Sequence, residues 1–361
     1  MKAQISATDQ AHLRRALELA EGGRGRVSPN PLVGAVVVRD GNVIGEGFHA
    51  ELGGLHAERA ALEDCRRRGE DPAGGTVYVT LEPCAHQGRQ PPCVEAILEA
   101  GIGRVVIASE DPSEKAAGRG PGILRDGGVQ VDFVASAEAS AARRLNQPFR
   151  KHARTGLPLV VLKMAMSLDG RTETAPGDSP WISGPESREL VHRWRAESDA
   201  IAVGIGTALA DDPLLTARID GARQPIRVVF DSKARLPLDS QLLQTLDQSP
   251  VLIFIAPGAP SDRVAAFQDA GAETLVATDI EGALRELGRR EVTSLFLEGG
   301  RTLASSFLSA RQVDEFRTFI APMLIGGSDK GGVAVERHVA LDSSAEQLGD
   351  DTLITARFKE W

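Results

Sequence analysis

The sequence has few of the features that mark secreted, membrane or nucleic-acid-binding proteins. Only 3 of its 361 residues are cysteines, and Phe, Trp and Tyr together make up 4%. No apolar run approaches the ~20 residues that span a bilayer. The first residues, MKAQISATDQ, lack the apolar segment of a secretory signal. We therefore expect a cytoplasmic protein with no membrane contact, in which a cysteine pair is more often metal-binding or catalytic than a disulfide.

The charge balance argues against a nucleic-acid partner. The chain has 41 basic and 50 acidic residues, a net charge of -9, and no Lys/Arg-rich block. A nucleic-acid-binding surface needs such a block. With 42% hydrophobic and 25% charged residues the composition is that of an ordinary globular protein. The length predicts roughly two domains.

Two sets of short apolar segments alternate with segments of helical periodicity, which predicts the α/β class for both halves. The first set covers residues 32–38, 76–81, 104–109 and 129–134, and the helical segments between them predict a sheet with helices on both faces. The second set covers residues 160–166, 200–205, 226–230, 251–256, 294–299 and 316–324. Pro148 and the run Gly156-Leu157-Pro158 interrupt the pattern between the sets. We therefore predict two different domains, 1–148 and 157–361.

A metal-binding pattern lies in the first half. His56 and Glu58 form an H-A-E sequence at a helix start, Cys84 follows a proline, and Cys93 opens a helix. A catalytic zinc takes three protein ligands, and thiolates and imidazole suit it. His56, Cys84 and Cys93 supply that number, and Glu58 is placed to act as a base without binding zinc. Two alternatives stay open: the cysteines are inert and buried, or His86 completes a structural four-ligand site.

The surrounding sequence is similar to a known family. Eight residues, AHQGRQPP, separate Cys84 from Cys93, and the segments SPNPLVGAVVV and GEGFHAELGGLHAE precede them. These features resemble the deaminase half of the bifunctional riboflavin-biosynthesis deaminase/reductases, which has the cytidine-deaminase-like three-layer α/β/α fold. The resemblance implies that Asn30, His49, His86 and Arg89 contact substrate. The chain departs from the family at Ser113 and Glu114, where Asn-Pro is usual.

The second half has no Gly-x-Gly-x-x-Gly after its first strand, which removes the usual support for a Rossmann fold. EGGRTLASSF, residues 298–307, combines a strand end, two glycines and a helix start, whose free N–H groups suit a dinucleotide phosphate. Arg195 and Arg218 suit a second phosphate, because the guanidinium fork matches its oxygens. The alternatives are an ordinary strand-to-helix turn and surface salt bridges.

Residues 162–184, 194–218 and 295–307 resemble the reductase half of the same family, whose α/β fold is similar to dihydrofolate reductase. The resemblance implies that NADPH contacts Ala165, Trp181, Thr207, Asp211, Ser232, Gly300, Arg301, Thr302, Leu303, Ala304, Ser305 and Ser306. It implies a sugar-phosphate site at Ser179, Arg195, Leu215, Arg218 and Glu298. For Lys163 and Asp169 we expect a proton donor or an orienting group.

The expected function is therefore a two-step one. The first domain, with one Zn²⁺ per chain, deaminates 2,5-diamino-6-(5-phosphoribosylamino)pyrimidin-4(3H)-one. The second reduces the ribosyl side chain with NADPH, which gives 5-amino-6-(5-phosphoribitylamino)uracil. The resemblance implies a small phosphorylated pyrimidine as partner and a homodimer or homotetramer. The rival interpretations are a nucleic-acid editing deaminase, disfavoured by the acidity, and a zinc-stabilised binding module, disfavoured by Glu58.

Overall fold

The structure, a computed structural model, describes residues 2–3, 5–88, 90–113, 117–174, 181–326, 333 and 336–361. The chain divides into two compact units, Met1–Thr155 together with Trp361, and Gly156–Glu360. None of the described helices combines the length and apolar character that crossing a membrane requires. The predicted bounds of the functional domains, 1–148 and 157–361, stay predictions.

The first unit has alternating strands and helices in most of its length. In chain order they are β1 (Lys2–Ala3), α1 (Ala7–Glu21), β2 (Gly34–Arg39), β3 (Asn42–Phe48), α2 (Ala57–Arg68), β4 (Thr76–Val79), α3 (Cys93–Glu99), β5 (Arg104–Ile107), α4 (Arg119–Asp126), β6 (Gln130–Val134), α5 (Ala137–Leu145) and α6 (Gln147–Thr155). The strands form one sheet in the order β1-β6-β5-β4-β2-β3. Strands β1, β6, β5 and β4 are parallel, and β2 pairs antiparallel with both β4 and β3.

Helices cover both faces of this sheet. Leu13 and Ala16 of α1 and Ala142 of α5 pack on Val36, Val106 and other residues of one face. On the other face α2, α3 and α4 form a second core with Val37, Val77, Val105 and their neighbours. The predicted α/β/α layers are therefore confirmed for this unit.

Strand β3, which the apolar pattern does not reveal, carries two glycines where α2 lies against it. A Cβ atom at Gly45 would lie 2.5 Å from the carbonyl oxygen of Ala61, and one at Gly47 would lie 2.3 Å from the Ala61 nitrogen. Only glycine permits this approach of helix to strand. The close packing fixes α2, whose first turn carries Glu58.

The second unit contains a larger sheet with helices on both faces. Its elements are β7 (Leu159–Ser167), α7 (Pro185–Glu197), β8 (Ala200–Gly204), α8 (Ile205–Asp211), β9 (Ile226–Phe230), α9 (Gln241–Gln244), β10 (Val251–Ile255), α10 (Ser261–Asp269), β11 (Glu273–Val276), α11 (Ile280–Arg289), β12 (Ser294–Leu297), α12 (Arg301–Ser309), β13 (Glu315–Ala321), β14 (Asp342–Leu348) and β15 (Asp351–Arg357).

The strand order β11-β10-β9-β8-β12-β7-β13-β15-β14 is parallel from β11 to β13, and β15 and β14 are added antiparallel at one side. One core lies between this sheet and α7 and α10, and the other between the sheet and α11 and α12. The α/β class predicted for this half is confirmed. In open parallel sheets ligands bind outside the carboxyl ends of the strands, which here lead into Gly204, Asp231 and Glu298.

Candidate active sites

Three predicted metal ligands converge in the first unit. Their donor atoms, one nitrogen of His56 and the sulfurs of Cys84 and Cys93, all lie within 4.8 Å of one another. The Nδ1 atom of His56 is 3.5 Å from the Cys84 sulfur and 3.4 Å from the Cys93 sulfur. All three cysteines of the chain are free thiols. Two sulfurs and one imidazole nitrogen are a donor set that fits zinc and leaves one coordination position for a water or substrate.

Local structure explains why the cysteines suit a cation. His56 is the N-cap of α2, Cys93 is the first residue of α3, and Cys84 lies in the loop after β4. The backbone N–H of Cys93 donates to the Cys84 sulfur at 3.3 Å. A hydrogen bond from Cys93, opposed by burial and assisted by His56, holds the pKa of the Cys84 thiol well below its usual range. Cys84 is thereby a thiolate, which is the form that binds metal.

Glu58 lies against this cluster and is buried. Its Oε2 atom accepts from the Cys93 thiol at 3.3 Å. Burial and the neighbouring Cys84 thiolate raise the pKa of the Glu58 carboxyl. A carboxyl group beside the metal ligands, but outside the group of donors that can share one ion, is placed to exchange protons with a molecule at the cluster.

A hydrogen-bonded chain leads from Asn30 to the same place. The Nδ1 atom of His49 is 2.9 Å from the carbonyl oxygen of Leu55, so Nδ1 carries the proton. Its Nε2 atom then accepts from the Asn30 amide at 3.1 Å. Burial and the nearby His56 lower the pKa of His49, so the ring is neutral near pH 7. The His49 and His56 rings meet edge to face with centroids 5.3 Å apart.

A second group of charged residues lies in the other unit, where β7 and β12 run side by side. Leu162 is paired with Leu297, so the next residues, Lys163 and Glu298, are neighbours. Their Nζ and Oε2 atoms are 3.9 Å apart. Arg195 of α7 holds Glu298 with both arms of its guanidinium group, Nε to Oε1 at 2.7 Å and Nη2 to Oε2 at 3.1 Å. Burial tends to raise the pKa of Glu298, but Arg195 and Lys163 lower it, so Glu298 is ionised.

The loop of residues 215–218 lies next to this pair. The Nη1 atom of Arg195 donates to the Thr216 carbonyl at 3.1 Å. Leu215 and Arg218 have φ angles of 56° and 52°, a left-handed backbone that is uncommon outside glycine. Leu215 is buried and Arg218 is exposed. Such strain persists only where the surroundings hold the backbone, and it is frequent at ligand sites.

Two helix starts lie together at the carboxyl ends of β8 and β12. Gly204 is the N-cap of α8 and Gly300 is the N-cap of α12. The Gly300 N–H donates to the Thr207 hydroxyl at 3.1 Å, and a Cβ atom at Gly300 would lie 3.2 Å from that oxygen. Free backbone N–H groups and the positive ends of two helix dipoles suit the phosphates of a dinucleotide.

Comparisons with known proteins agree with this geometry. The family model described as "Cytidine and deoxycytidylate deaminase zinc-binding region" matches residues 6–109, and the one described as "RibD C-terminal domain" matches residues 158–354. Riboflavin biosynthesis protein RibD of Actinobacillus pleuropneumoniae is 40% identical over 362 residues, which covers 96% of this chain and 94% of the relative. The chain belongs to the RibD family.

Solved RibD structures have the same fold. RibD of Acinetobacter baumannii, form 1, superposes with a TM-score of 0.86 at 37% identity and covers 98% of this chain and 99% of its own. A diaminohydroxyphosphoribosylaminopyrimidine deaminase/5-amino-6-(5-phosphoribosylamino)uracil reductase of Thermotoga maritima has a TM-score of 0.85 at 35% identity, with the same coverage. As a member of the RibD family, the chain is a bifunctional riboflavin-biosynthesis enzyme, a hydrolase and an oxidoreductase. Its deaminase and reductase domains imply zinc and a nicotinamide cofactor.

Several residues predicted from the RibD resemblance lie apart from these clusters. His86 is exposed and is not one of the donor atoms that could share a metal ion in the described part of the chain, which disfavours a four-ligand structural site. Ser113 binds Asp111 through its backbone N–H at 2.8 Å. Arg89, Glu114 and Ser179 lie outside the described residues.

The residues predicted to contact NADPH lie in different surroundings. Ala165 is half-buried on β7, Trp181 is exposed and lies 5.0 Å from the Arg188 guanidinium, and Asp211 and Ser232 are exposed. In the α12 stretch, the side chains of Leu303 and Ala304 are buried in the core, so only their backbone can face a ligand. Arg301, Thr302, Ser305 and Ser306 are half-buried or exposed.

Asp169 does not join the Lys163–Glu298 pair. Its carboxylate accepts from the Ser167 hydroxyl at 2.6 Å and from the N–H groups of Ile325 and Gly326 at 3.1 and 2.7 Å. These bonds lower the pKa of Asp169 to about 2. The contacts therefore fit an orienting role for Asp169 and disfavour proton donation.

Glu82 is a residue that the sequence reasoning missed. It is buried next to the Pro83-Cys84 pair and accepts from the Gly118 N–H at 2.7 Å. Burial raises the pKa of Glu82 to about 7, although backbone hydrogen bonds act in the opposite direction. The available signal was an acidic residue two positions before a predicted metal ligand, Cys84, in the segment after β4. Its contact ties the residue before the Pro83-Cys84 pair to Gly118.

Proposed function

We propose that the first unit catalyses hydrolytic deamination of 2,5-diamino-6-(5-phosphoribosylamino)pyrimidin-4(3H)-one, and that the second reduces the ribosyl chain of the product with NADPH. The final product would be 5-amino-6-(5-phosphoribitylamino)uracil. The observation that carries the proposal is the convergence of His56, Cys84 and Cys93 within 4.8 Å, with the Glu58 carboxylate 3.3 Å from the Cys93 sulfur. A three-ligand donor set beside a buried carboxyl group is typical of hydrolytic deaminases.

In the deaminase site, His56, Cys84 and Cys93 would hold one zinc ion per chain. When bound, zinc supplies Lewis acidity that makes water nucleophilic near neutral pH. Glu58 takes one proton from the attacking water and delivers it to the ring nitrogen. It then takes the second proton from the added hydroxyl group and delivers it to the leaving amine, so that ammonia departs and a carbonyl group remains. Its burial against Cys93 keeps bulk water from this transfer.

Asn30, His49, His86 and Arg89 would hold the substrate. The Asn30–His49–Leu55 chain supports this role for two of them, because it fixes the tautomer of His49 and the direction of the Asn30 amide. A neutral His49 with both ring nitrogens engaged acts as an orienting group and not as a proton carrier. Ser113 and Glu114 replace the family's Asn-Pro, so contacts from that loop would differ.

In the reductase site, the N-termini of α8 and α12 would bind NADPH, which supplies a hydride when bound. Ala165, Trp181, Asp211 and Ser232 would border the cofactor. Arg218, Arg195, Leu215 and Ser179 would hold the substrate's sugar phosphate. Lys163 is the better proton donor of the two candidates, because Asp169 is held ionised by three hydrogen bonds. Hydride addition at C1′ of a ring-opened imine with proton transfer to nitrogen would complete the reduction.

We further propose the domain bounds 1–148 and 157–361, a homodimer or homotetramer, and a cytoplasmic location where cysteine ligands stay reduced. NADPH is proposed over NADH on the family resemblance alone. No nucleic acid or membrane is part of the proposed function.

The test is an assay of both activities together with zinc analysis. Purified protein should release ammonia from the diamino substrate without NADPH, oxidise NADPH only once deaminated product is present, and contain about one zinc per chain. Cys84→Ser should lose zinc and ammonia release. Cys65→Ala is the matched control, because Cys65 is a buried cysteine of α2 outside the cluster. Zinc-loaded, folded protein that releases no ammonia from this substrate would contradict the proposal.

A further inference from the structure

Arg59 is a charged residue of the first unit that the reactions above do not use. It lies in the first turn of α2, three residues after His56, the N-cap. Its Nε atom donates to the carbonyl oxygen of Pro91 at 3.2 Å, and its Nη2 atom donates to that of Pro92 at 3.0 Å. The guanidinium group thus joins the helix that begins at His56 to the two residues before Cys93.

The sequence limits how that two-residue segment can be held. Pro91 and Pro92 have no backbone N–H groups, so their carbonyl oxygens are the only polar groups they offer. Pro92 is the N-cap of α3, and Cys93 is the first residue of that helix. The position of the two prolines therefore determines where the Cys93 sulfur lies. The rigid donor fork of an arginine suits two neighbouring acceptors of this kind.

Backbone contacts hold the two cysteines to each other but not to α2. The Cys93 N–H donates to the Cys84 sulfur at 3.3 Å, and the Val94 N–H donates to the Cys84 carbonyl at 3.3 Å. The contacts of the cysteine sulfurs with His56 and Glu58 involve the donor atoms themselves. Those contacts change when a metal ion takes the place of the thiol proton. The Arg59 contacts involve no ligand atom and persist with and without metal.

Apolar packing between the two helices does not replace this contact. Ala61 and Leu62 of α2 and Val94 and Ile97 of α3 belong to one core cluster. Such packing has no preferred direction. It brings two helix faces together, whereas Arg59 fixes the segment that leads into α3.

We propose that Arg59 is a positioning residue of the metal site, which holds the carbonyl groups of residues 91 and 92 and thereby keeps the Cys93 sulfur within reach of an ion bound to His56. A guanidinium group has no free acceptor, so Arg59 acts through Cys93 and is not itself a ligand. The inference rests on the proposed function only in assigning zinc to His56, Cys84 and Cys93.

The test is a metal titration of the full-length, metal-free protein, which needs no activity. Co²⁺ is the probe, because cobalt–thiolate bonds give characteristic absorption bands, and zinc affinity follows from competition with Co²⁺. Arg59→Met keeps the apolar stem but has no donor. We expect it to bind both metals about tenfold more weakly than the wild type, the lower end of what contacts behind a metal ligand contribute.

A second variant separates the hydrogen bonds from the charge. Arg59→Gln is neutral, and its amide nitrogen lies as many bonds from the backbone as the Nε atom of arginine, so it can keep the contact with Pro91. We expect its metal affinity to lie between those of Arg59→Met and the wild type. If Arg59→Met does not fold, which circular dichroism of the metal-free protein shows, the comparison of Arg59→Gln with the wild type decides.

Arg66→Ala is the matched control. Arg66 lies on the same helix, is exposed and pairs with Glu63, so this variant should bind both metals as the wild type does. Wild-type affinity in Arg59→Met, or an equal loss in Arg66→Ala, overturns the inference. Equal weakness of Arg59→Met and Arg59→Gln also overturns it, because the lost charge would then explain the effect.

One further outcome separates this inference from the proposed function. If the wild type and Cys84→Ser give the same metal titration, no metal is held by the cluster, so the proposed function fails first and the inference fails with it. If the wild type binds metal through Cys84 and Arg59→Met binds it equally well, the metal site stands and only the role of Arg59 is refuted.

Discussion

The ion pair of Arg195 and Glu298 makes a sharp prediction, because Arg195, which is predicted to bind phosphate, also holds a buried carboxylate. Both side chains are largely buried, with 12% and 11% of their surface exposed. The small contributions to stability that are measured for exposed ion pairs therefore do not apply here. Removing one partner of a buried pair costs about 3–5 kcal/mol, since the other charge stays buried without compensation.

The position of Lys163 determines how much stability Arg195→Ala loses within that range. Its Nζ atom is 3.9 Å from Glu298, so the carboxylate keeps one cation after Arg195 is removed. We therefore expect a loss near the lower end, about 3 kcal/mol. For a unit of this size each kcal/mol lowers Tm by ~2–4 °C, so the second unit should melt roughly 6–12 °C lower. Adding Glu298→Gln should restore only part of the loss, because the carboxylate is then neutral but Lys163 loses its counterion.

The assay is thermal and urea unfolding followed by tryptophan fluorescence. Trp194 is buried against Phe319 in the second unit, and Trp181 belongs to the same unit. Trp361 belongs to the first, so a Trp361→Phe background makes the signal specific. Arg218→Ala is the matched control, and as an exposed residue it should change stability by no more than ~0.5 kcal/mol. Equal stability of Arg195→Ala and Arg218→Ala would refute the reasoning.

The remaining predictions concern both units. Arg218→Ala should raise the KM for the phosphorylated substrate roughly tenfold to a hundredfold and leave the KM for NADPH unchanged, since a charge-assisted hydrogen bond contributes ~1.5–3 kcal/mol. A rise in the KM for NADPH alone would assign Arg218 to the cofactor site instead. Glu58→Gln should retain zinc but release ammonia at least ~100-fold more slowly while reduction is unaffected. Removing zinc with a chelator should abolish deamination and leave reduction of supplied intermediate intact, as two separate assays would show. Asp9→Asn should destabilise the first unit by ~1–3 kcal/mol; the pKa of Asp9 is about 2, because hydrogen bonds from Tyr78, Ser6 and Arg104 outweigh burial. The greater stability of the wild type over Asp9→Asn should be full above pH ~4 and disappear as pH falls through about 2. Urea unfolding of both proteins across that pH range checks this.

Local patterns in the sequence predicted the three residues that converge as possible metal ligands, but not every strand. His56 and Glu58 lie in the first turn of one helix, and Cys93 begins another, so their spacing is a property of short segments. Strand β14 gave no such signal, because six of its seven residues are exposed and polar or small. Its place is set by antiparallel pairing with β15. Pairing of this kind depends on a distant partner and not on composition.

The same limit applies to the reductase site. Arg195 and Glu298 are 103 residues apart, and neither residue type nor spacing predicts that the arginine's fork is taken by a carboxylate. Arg218 is therefore the better candidate for a phosphate-binding arginine, because its side chain is exposed and its own backbone is left-handed.

Lys163 and Asp169 show how long-range contacts separate two residues that the sequence left equivalent. Both are polar and belong to β7 or the turn after it. Asp169 faces the N–H groups of residues 325 and 326, which hold it ionised. The Nζ atom of Lys163 lies 3.9 Å from the Glu298 carboxylate, too far for a short hydrogen bond. Arg195 already pairs with the same carboxylate. Burial lowers the pKa of Lys163 and Arg195 adds to this, with only Glu298 opposing them. A buried amine whose counterion is shared gives up its proton more readily than a fully paired one. We therefore expect Lys163 to be the proton donor and Asp169 to be an orienting group.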